Sequence, residues 1–348
     1  MHNSFIAGAS KRKCIMRSDG SCKGGNFFRF RFFASAPLIC ALLIIVARSS
    51  GAQSLKPVVF AVSTKDVSSS PVWIAEKLGY FKGEGIDGRI VIMRSDLQVT
   101  GVISGDVDFA GSLSSVTKAA AVGVPVKIVL SFFNGSFFYI VTKPDITSVE
   151  ALKGKILAIS RYGSATDFDA RATLRHFGLD PSRDVQIIAV GGGGNRLASL
   201  VFKRVDAAIL TINEKLQAER AGMRTLVSTG QHNKQPVGGL GTSVQKIRSN
   251  RDGLVRAIRA VYRTLVVMKN DRSAVRGFFE KELAINPEQF DNAYDAVMKV
   301  FLPNGEIDAK DLSEPYEDAR KAATNPPPVS LNDLIDWSIL REVRSSVK

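Results

Sequence analysis

The stretch ISRYGSATDFDARATL, Ile159–Leu174, decides how the chain is read. An apolar strand, Lys155-Ile-Leu-Ala-Ile159, runs into a small-residue turn, Gly163-Ser-Ala-Thr166. The turn opens a helical pattern, Asp167 to His176, that stops at Gly178 with Pro181 just beyond. Such a junction points backbone N–H groups, with the Ser164 and Thr166 hydroxyls beside them, away from the start of the helix. Three chemistries use it: a nucleophile elbow, a nucleotide loop and the grip of a binding protein.

The residues speak against the first two. An elbow needs Gly-x-Ser-x-Gly, whereas Ser164 follows Gly163 directly. A Walker loop needs Gly-Lys-Ser/Thr, which the chain lacks. Gly191-Gly-Gly-Gly194 follows a strand and opens a helix, as a dinucleotide loop does. The third fingerprint glycine, however, falls on Arg196, and no acid ends a following strand in the right place. These glycines read better as a backbone turned close to a cleft.

Metal chemistry is poorly supplied. Beyond residue 52 the chain has His176 and His232, no cysteine and no cluster at ligand spacing, so neither metal nor cofactor is expected. Asp167 and Asp169 fall in the first turn of their helix, where they complement its dipole. The basic residues are dispersed without an aromatic-basic strip, and no nucleic-acid partner is expected.

At 348 residues, 45% hydrophobic and 23% charged, the chain is expected to be globular with two domains or lobes. Its net charge of +14 is uneven, because residues 1–52 hold eight Lys/Arg and one acid. Arg29 and Arg31 precede an apolar run, Ala34 to Ala47, followed by Ser49-Ser-Gly-Ala52. This predicts a signal peptide over 1–52, cut after Ala52, and a periplasmic protein; an uncleaved anchor is the alternative. Met16 would give a more ordinary start. Cys14, Cys22 and Cys40 all precede the cut, and Ile39 stands where a lipoprotein site needs a small residue.

Strands and helices alternate through the first two hundred residues, predicting α/β layers. Ser68-Ser-Ser-Pro71 opens a helix, and Thr147-Ser-Val-Glu150 fits a capping box. Val107-Asp-Phe-Ala110 and Val205-Asp-Ala-Ala208 each follow an amphipathic helix and open a strand, as two lobes of one plan would do. Ser228 to Gly241 is polar and Gly-rich, and from Asn250 the pattern is nearly all helical. The stripe Leu254, Ile258, Val261, Leu265, Met268 packs this region against something, most simply the first lobe.

Three strand–helix junctions are rich in hydroxyls: Ser63 to Ser70, Gly111-Ser-Leu-Ser-Ser115, and Gly163 to Thr166. Ser and Thr at helix starts are ordinary caps. Three such turns facing one cleft favour an oxyanion or carbonyl-rich ligand.

At this point the chain, from about Val58 onward, resembles the type II periplasmic substrate-binding proteins of ABC importers. It is similar to the branch that binds nitrate, taurine, alkanesulfonates and thiamine-pyrimidine precursors. The resemblance is carried by Pro71-Val-Trp-Ile-Ala-Glu-Lys-Leu-Gly-Tyr-Phe81, Glu84-Gly-Ile86, Ser104-Gly-Asp-Val-Asp-Phe109, Leu152-Lys-Gly154, Gly178-Leu-Asp-Pro181 and Val205-Asp-Ala-Ala208. It implies a two-lobe fold, each lobe a doubly wound sheet flanked by helices, closing on a ligand between them. Lobe 1 is expected over 53–141 and 231–348, and lobe 2 over 142–230. The ligand shell it implies comprises Ser69, Ser70, Trp73, Ser112, Ser114, Gly163, Ser164, Thr166 and Thr211. Asp167 would oppose an anion if it pointed inward, and Arg161 is the residue placed to offset it.

The implied function is the solute-binding component of an ABC uptake system, a monomer that hands an anionic or zwitterionic solute (sulfonate, carboxylate or pyrimidine-like) to an inner-membrane permease. The alternative is an enzyme of the same fold, a lyase or pyrimidine-precursor synthase. The fungal synthases of this fold call for cysteine and histidine; beyond residue 52 the chain has no cysteine and two histidines, His176 and His232, which argues against catalysis.

Overall fold

The computed structural model describes residues 55–231 and 236–347; the expected leader over 1–52 and His232 lie outside the described residues. Strands β1 (Lys56–Val62), β2 (Ile86–Ile92), β3 (Phe109–Ser112), β4 (Val126–Ser131), β5 (Tyr139–Thr142), β6 (Ile156–Ile159), β7 (Gln186–Ala189), β8 (Ala207–Leu210), β9 (Arg224–Ser228) and β10 (Gly238–Ser243) form two five-stranded sheets. The first has the order β2-β1-β3-β10-β4 and the second β7-β6-β8-β5-β9. Each is mixed. Four strands run one way, and the reversed one, β10 or β5, which arrives from the other sheet, lies between the third and fourth of them.

The repeated Val-Asp-x-Ala is a structural latch. In the first lobe, Val59 N–H donates to Asp108 Oδ2 (2.7 Å) and Asp108 N–H to the Val59 carbonyl (2.9 Å). In the second, Ile156 N–H donates to Asp206 Oδ2 (2.9 Å) and Asp206 N–H to the Ile156 carbonyl (3.0 Å). Each carboxylate also pairs with a lysine just past the reversed strand, Lys246 for Asp108 and Lys143 for Asp206. Both lobes therefore lock their first and third strands by one device.

Gly-rich composition predicts a loop where the structure has β10. A central strand needs no side chains where other backbone presses on it. A Cβ on Gly238 would lie 2.1 Å from the Ser68 carbonyl, and one on Gly239 would lie 2.4 Å from that of Leu130. The Thr147 capping box is also corrected. The turn there is a short 3-10 helix, Glu150–Leu152, with Val149 as its cap, and Ser148 Oγ accepts the Ala151 N–H.

The chain leaves the first sheet after Ser131 and returns after Ser228, and the two crossings are fastened together. Asp169, fully buried on helix Ala165–His176, accepts from the Ser136 hydroxyl of one crossing and the Thr229 hydroxyl (2.7 Å) of the other. The two hydroxyls lie 2.8 Å apart, and a Cβ on Gly230 would lie 2.0 Å from the Ser136 carbonyl. Asp169 is thus more than a dipole partner for its helix.

Helix Arg251–Asn270 lays its apolar stripe on helix Ser70–Lys77 and strands β1 and β2, and helix Ser338–Ser346 packs against it. Helix Ser313–Ala322 covers helix Leu113–Ala121. Phe60 stacks between Phe81 and Phe109, with ring centroids at 4.9 and 5.1 Å, in the centre of this core.

Candidate functional site

The loops after the parallel strands of both sheets face one another, as open α/β sheets require of a ligand crevice. Between them lies a cavity of about 410 Å³. Val62, Ser63, Thr64, Asp66, Ser68 and Ser69 wall it after β1, Arg94 and Ser95 after β2, Gly111 and Ser112 at the end of β3, and Phe132, Val237 and Gly239 beside them. The second lobe supplies Phe138, Ser160, Arg161, Ser164, Ala165, Thr166, Ala189, Gly191, Gly192 and Arg196.

Five helices of at least two turns start at this cavity, with caps Ser69, Arg94, Ser112, Ser164 and Gly192. Their free N–H groups and dipoles favour electron-rich ligand atoms. Around the Ser164 cap, the hydroxyls of Ser160, Ser164 and Thr166 form a closed ring with oxygen separations of 2.8 to 2.9 Å. Ser164 Oγ also donates to the Arg161 carbonyl (2.6 Å). In the first lobe, buried Gln98 ties three loops together. Its Nε2 donates to Ser63 Oγ (3.1 Å) and the Met93 carbonyl (2.8 Å), and its Oε1 accepts the Ser112 N–H (3.0 Å).

The two lobes touch directly over the cavity. Arg161 reaches across to donate to Ser95 Oγ (2.6 Å) and pairs with the Asp96 carboxylate. Lys118 Nζ crosses the other way to the Gly163 carbonyl (2.8 Å), and burial holds its amine below the usual lysine range.

Of the residues expected in the ligand shell, the structure brings Ser69, Ser112, Arg161, Ser164 and Thr166 to the cavity wall. Ser70, Trp73, Ser114, Gly163 and Thr211 do not line it. Ser70 is fully buried and donates to the Val67 carbonyl (2.8 Å). Trp73 packs on the core with the Lys65 ammonium 4.7 Å from its ring centre. Ser114 lies behind Ser112, 3.3 Å between hydroxyls. Gly163 supplies a positive-φ turn (77°) rather than a wall. Thr211 is a buried cap of helix Ile212–Arg220. Asp167 folds back on its own turn, accepting from Gly163 N–H (2.7 Å) and Arg171 Nε (2.7 Å), so it does not oppose a ligand.

Two buried charged groups of the wall, Arg196 and Asp66, are not among the residues expected from the sequence. Arg196 is 3% exposed; its Nε donates to the Ile209 carbonyl (2.7 Å), one terminal nitrogen to that of Gly191 (2.6 Å), and the other lies 3.8 Å from Glu214. Glu214 caps Thr211 through its N–H (2.9 Å) and hydroxyl (3.0 Å). It lies so close to Gly193 that a Cβ there would sit 1.4 Å from its Oε1. The four-glycine run therefore makes room for a carboxylate of this chain at a helix N-terminus.

Across the cleft, Asp66 is 3% exposed. Burial and the Glu214 charge push its carboxyl up to about 6, against the opposing pull of the Ser68 hydrogen bonds and Arg196.

The fold is shared with solved structures at low sequence identity. One from Bordetella bronchiseptica RB50 has a TM-score of 0.73 at 20% identity, covering 84% of this chain and 98% of that one. The periplasmic nitrate-binding protein NrtA from Synechocystis PCC 6803 has a TM-score of 0.67 at 16% identity, covering 85% and 89%. Both support the two-lobe periplasmic-binding-protein architecture. YtlA of Bacillus subtilis (strain 168), named for an inferred binding role, is 26% identical over 153 residues, 42% of this chain. The match spans 46% of that relative's length, less than half of it. The model of the family described as NMT1/THI5 like matches residues 67–273, more than half of the sequence, and the chain belongs to that family.

Proposed function

We propose that the protein is the extracytoplasmic solute-binding component of an ABC uptake system, exported to the periplasm, closing two lobes on a small organic solute that it passes to an inner-membrane permease. The observation that carries this reading is the cavity of about 410 Å³ walled by both lobes and bridged over by Arg161 and Lys118. Its volume falls in the lower part of the range for small-molecule pockets, about 300–1,000 Å³, and suits an organic molecule better than a bare inorganic ion. Phe132 and Phe138 offer apolar surface to its body, while the Ser112 and Ser164 turns receive an electron-rich group such as a sulfonate, carboxylate or ring carbonyl. The lobes divide at the two crossings that Asp169 fastens.

A second reading, an enzyme of the same fold, is favoured by Asp66, a carboxyl in the cavity wall that burial pushes up to about 6, in the direction a general base needs. Thermal melting of the purified protein against sulfonates, carboxylates, aromatic acids and pyrimidines tests both. A ligand at a hundredfold excess over its dissociation constant adds about 2.7 kcal/mol of stability. Stabilisation with no new compound formed over hours supports the binder; chemical conversion of the ligand establishes the enzyme.

A further inference from the structure

The one carboxylate among the wall residues is disposed to receive something other than an anion. Asp66 lies in the wall, almost wholly buried, with the Ser68 N–H (2.8 Å) and hydroxyl (2.5 Å) both directed at Oδ1. No described side chain donates to Oδ2, and none forms an ion pair with the group. The nearby Arg196 is spent on two carbonyls and on Glu214. Glu214 in turn is held by its Thr211 cap. With backbone N–H groups of its own turn as its other donors, the Asp66 carboxylate keeps acceptor capacity on the cavity side for a donor carried by a ligand. Asp66 is the one carboxylate among the wall residues, so a nitrogen bearing hydrogens placed against it meets an acceptor, while the guanidiniums of Arg94, Arg161 and Arg196 also line the cavity and favour an electron-rich group on the same ligand.

We propose that Asp66 selects the solute: the cavity takes a small molecule carrying a hydrogen-bond-donating nitrogen, an amine, amidine or amide N–H, directed at Asp66 Oδ2, as well as the electron-rich group received by the hydroxyl turns. This rests on the reading of the cleft as a solute site. The ligand is then zwitterionic or dipolar, and nitrate or a plain alkanesulfonate is a poor fit.

Matched pairs that differ only in the nitrogen test it: taurine with ethanesulfonate, β-alanine with propionate, aminopyrimidine with pyrimidine. Affinities are measured by calorimetry on the purified wild type and on Asp66→Asn. In that variant the amide oxygen keeps the Ser68 contacts while an NH₂ replaces the open acceptor. In at least one pair the nitrogen-bearing member binds the wild type about tenfold or more tightly than its partner, the scale of a charged hydrogen bond, and Asp66→Asn removes that preference. Equal binding within every pair that binds, or a preference that survives in a variant folded by circular dichroism, overturns the Asp66 assignment and leaves the solute site standing. Binding by no member at millimolar concentration overturns the solute-site reading and the assignment with it. Should the variant fail to fold, the wild-type ratio decides alone.

Discussion

Replacing Asp66 by Asn exchanges an ionisable carboxyl for a neutral side chain of the same shape, and the consequence for stability follows from its surroundings. Burial, with the Glu214 carboxylate second, raises the folded-state midpoint from 3.8 to about 6. At about 1.4 kcal/mol per pH unit, the charged form costs the unliganded fold about 3 kcal/mol. The sign is that of any group whose folded value lies above its unfolded one. The wild type has its full stability below pH 3.8 and loses it as pH rises through about 6, levelling off above. Urea unfolding of unliganded wild type and Asp66→Asn between pH 4 and 8 reads this directly. The two have similar stability at pH 4, and the variant is more stable by about 3 kcal/mol at pH 7.5. A difference that does not change with pH, or that favours the wild type as pH rises, refutes the reasoning.

Other substitutions probe the supports of the cleft. Gly193→Ala places a Cβ on the Glu214 carboxylate, displacing the Thr211 cap and stranding Arg196; we expect a loss of about 2–4 kcal/mol in urea unfolding. Gly194→Ala, one residue on and open to space, is neutral or stabilising by up to about 1 kcal/mol, which separates the clash from a general effect of alanine. Asp169→Ala leaves the Ser136 and Thr229 hydroxyls of the two crossings without their shared acceptor. It costs about 3 kcal/mol and speeds amide exchange at Phe138 and Thr229, as mass spectrometry or NMR would record.

What the sequence displayed was local chemistry. Ser164 before Ala165 and Ser112 before Leu113 are read from cap preference, and both turns reach the cavity because a strand–turn–helix junction points there. The twin Val-Asp-x-Ala motifs are legible because one latch demands one pattern twice. Arg161 apart, the charges at the site were not. Asp66 lies in the junction over 63–70, which the sequence marks for its hydroxyls alone, and the charges that act on it, Glu214 and Arg196, are more than a hundred residues away. Arg196 looked like a spoiled glycine fingerprint, although the glycines before it serve a carboxylate twenty residues later. β10 was hidden for the opposite reason: its glycines answer to the carbonyls of Ser68 and Leu130, which no window around residue 240 contains. Of the five expected shell residues that miss the wall, Ser70, Trp73, Ser114 and Gly163 lie within one helical turn of a wall residue, a distance that local pattern does not resolve, and Thr211 has no wall residue near it in the sequence.

The position of β10 bears on how the chain is assembled in time. The second sheet draws its strands from one unbroken run, residues 139–228, and can close as soon as that run is made. The first sheet cannot: β3 and β4, complete by residue 131, are joined only when a strand beginning at residue 238 slides between them. Until then both present open strand edges, and the loop to be closed spans the entire second lobe. The lobe that is synthesised first is therefore the last to finish, and any pause, cleavage or truncation ahead of Gly238 leaves its half-built sheet exposed to whatever else in the cell carries an unpaired strand.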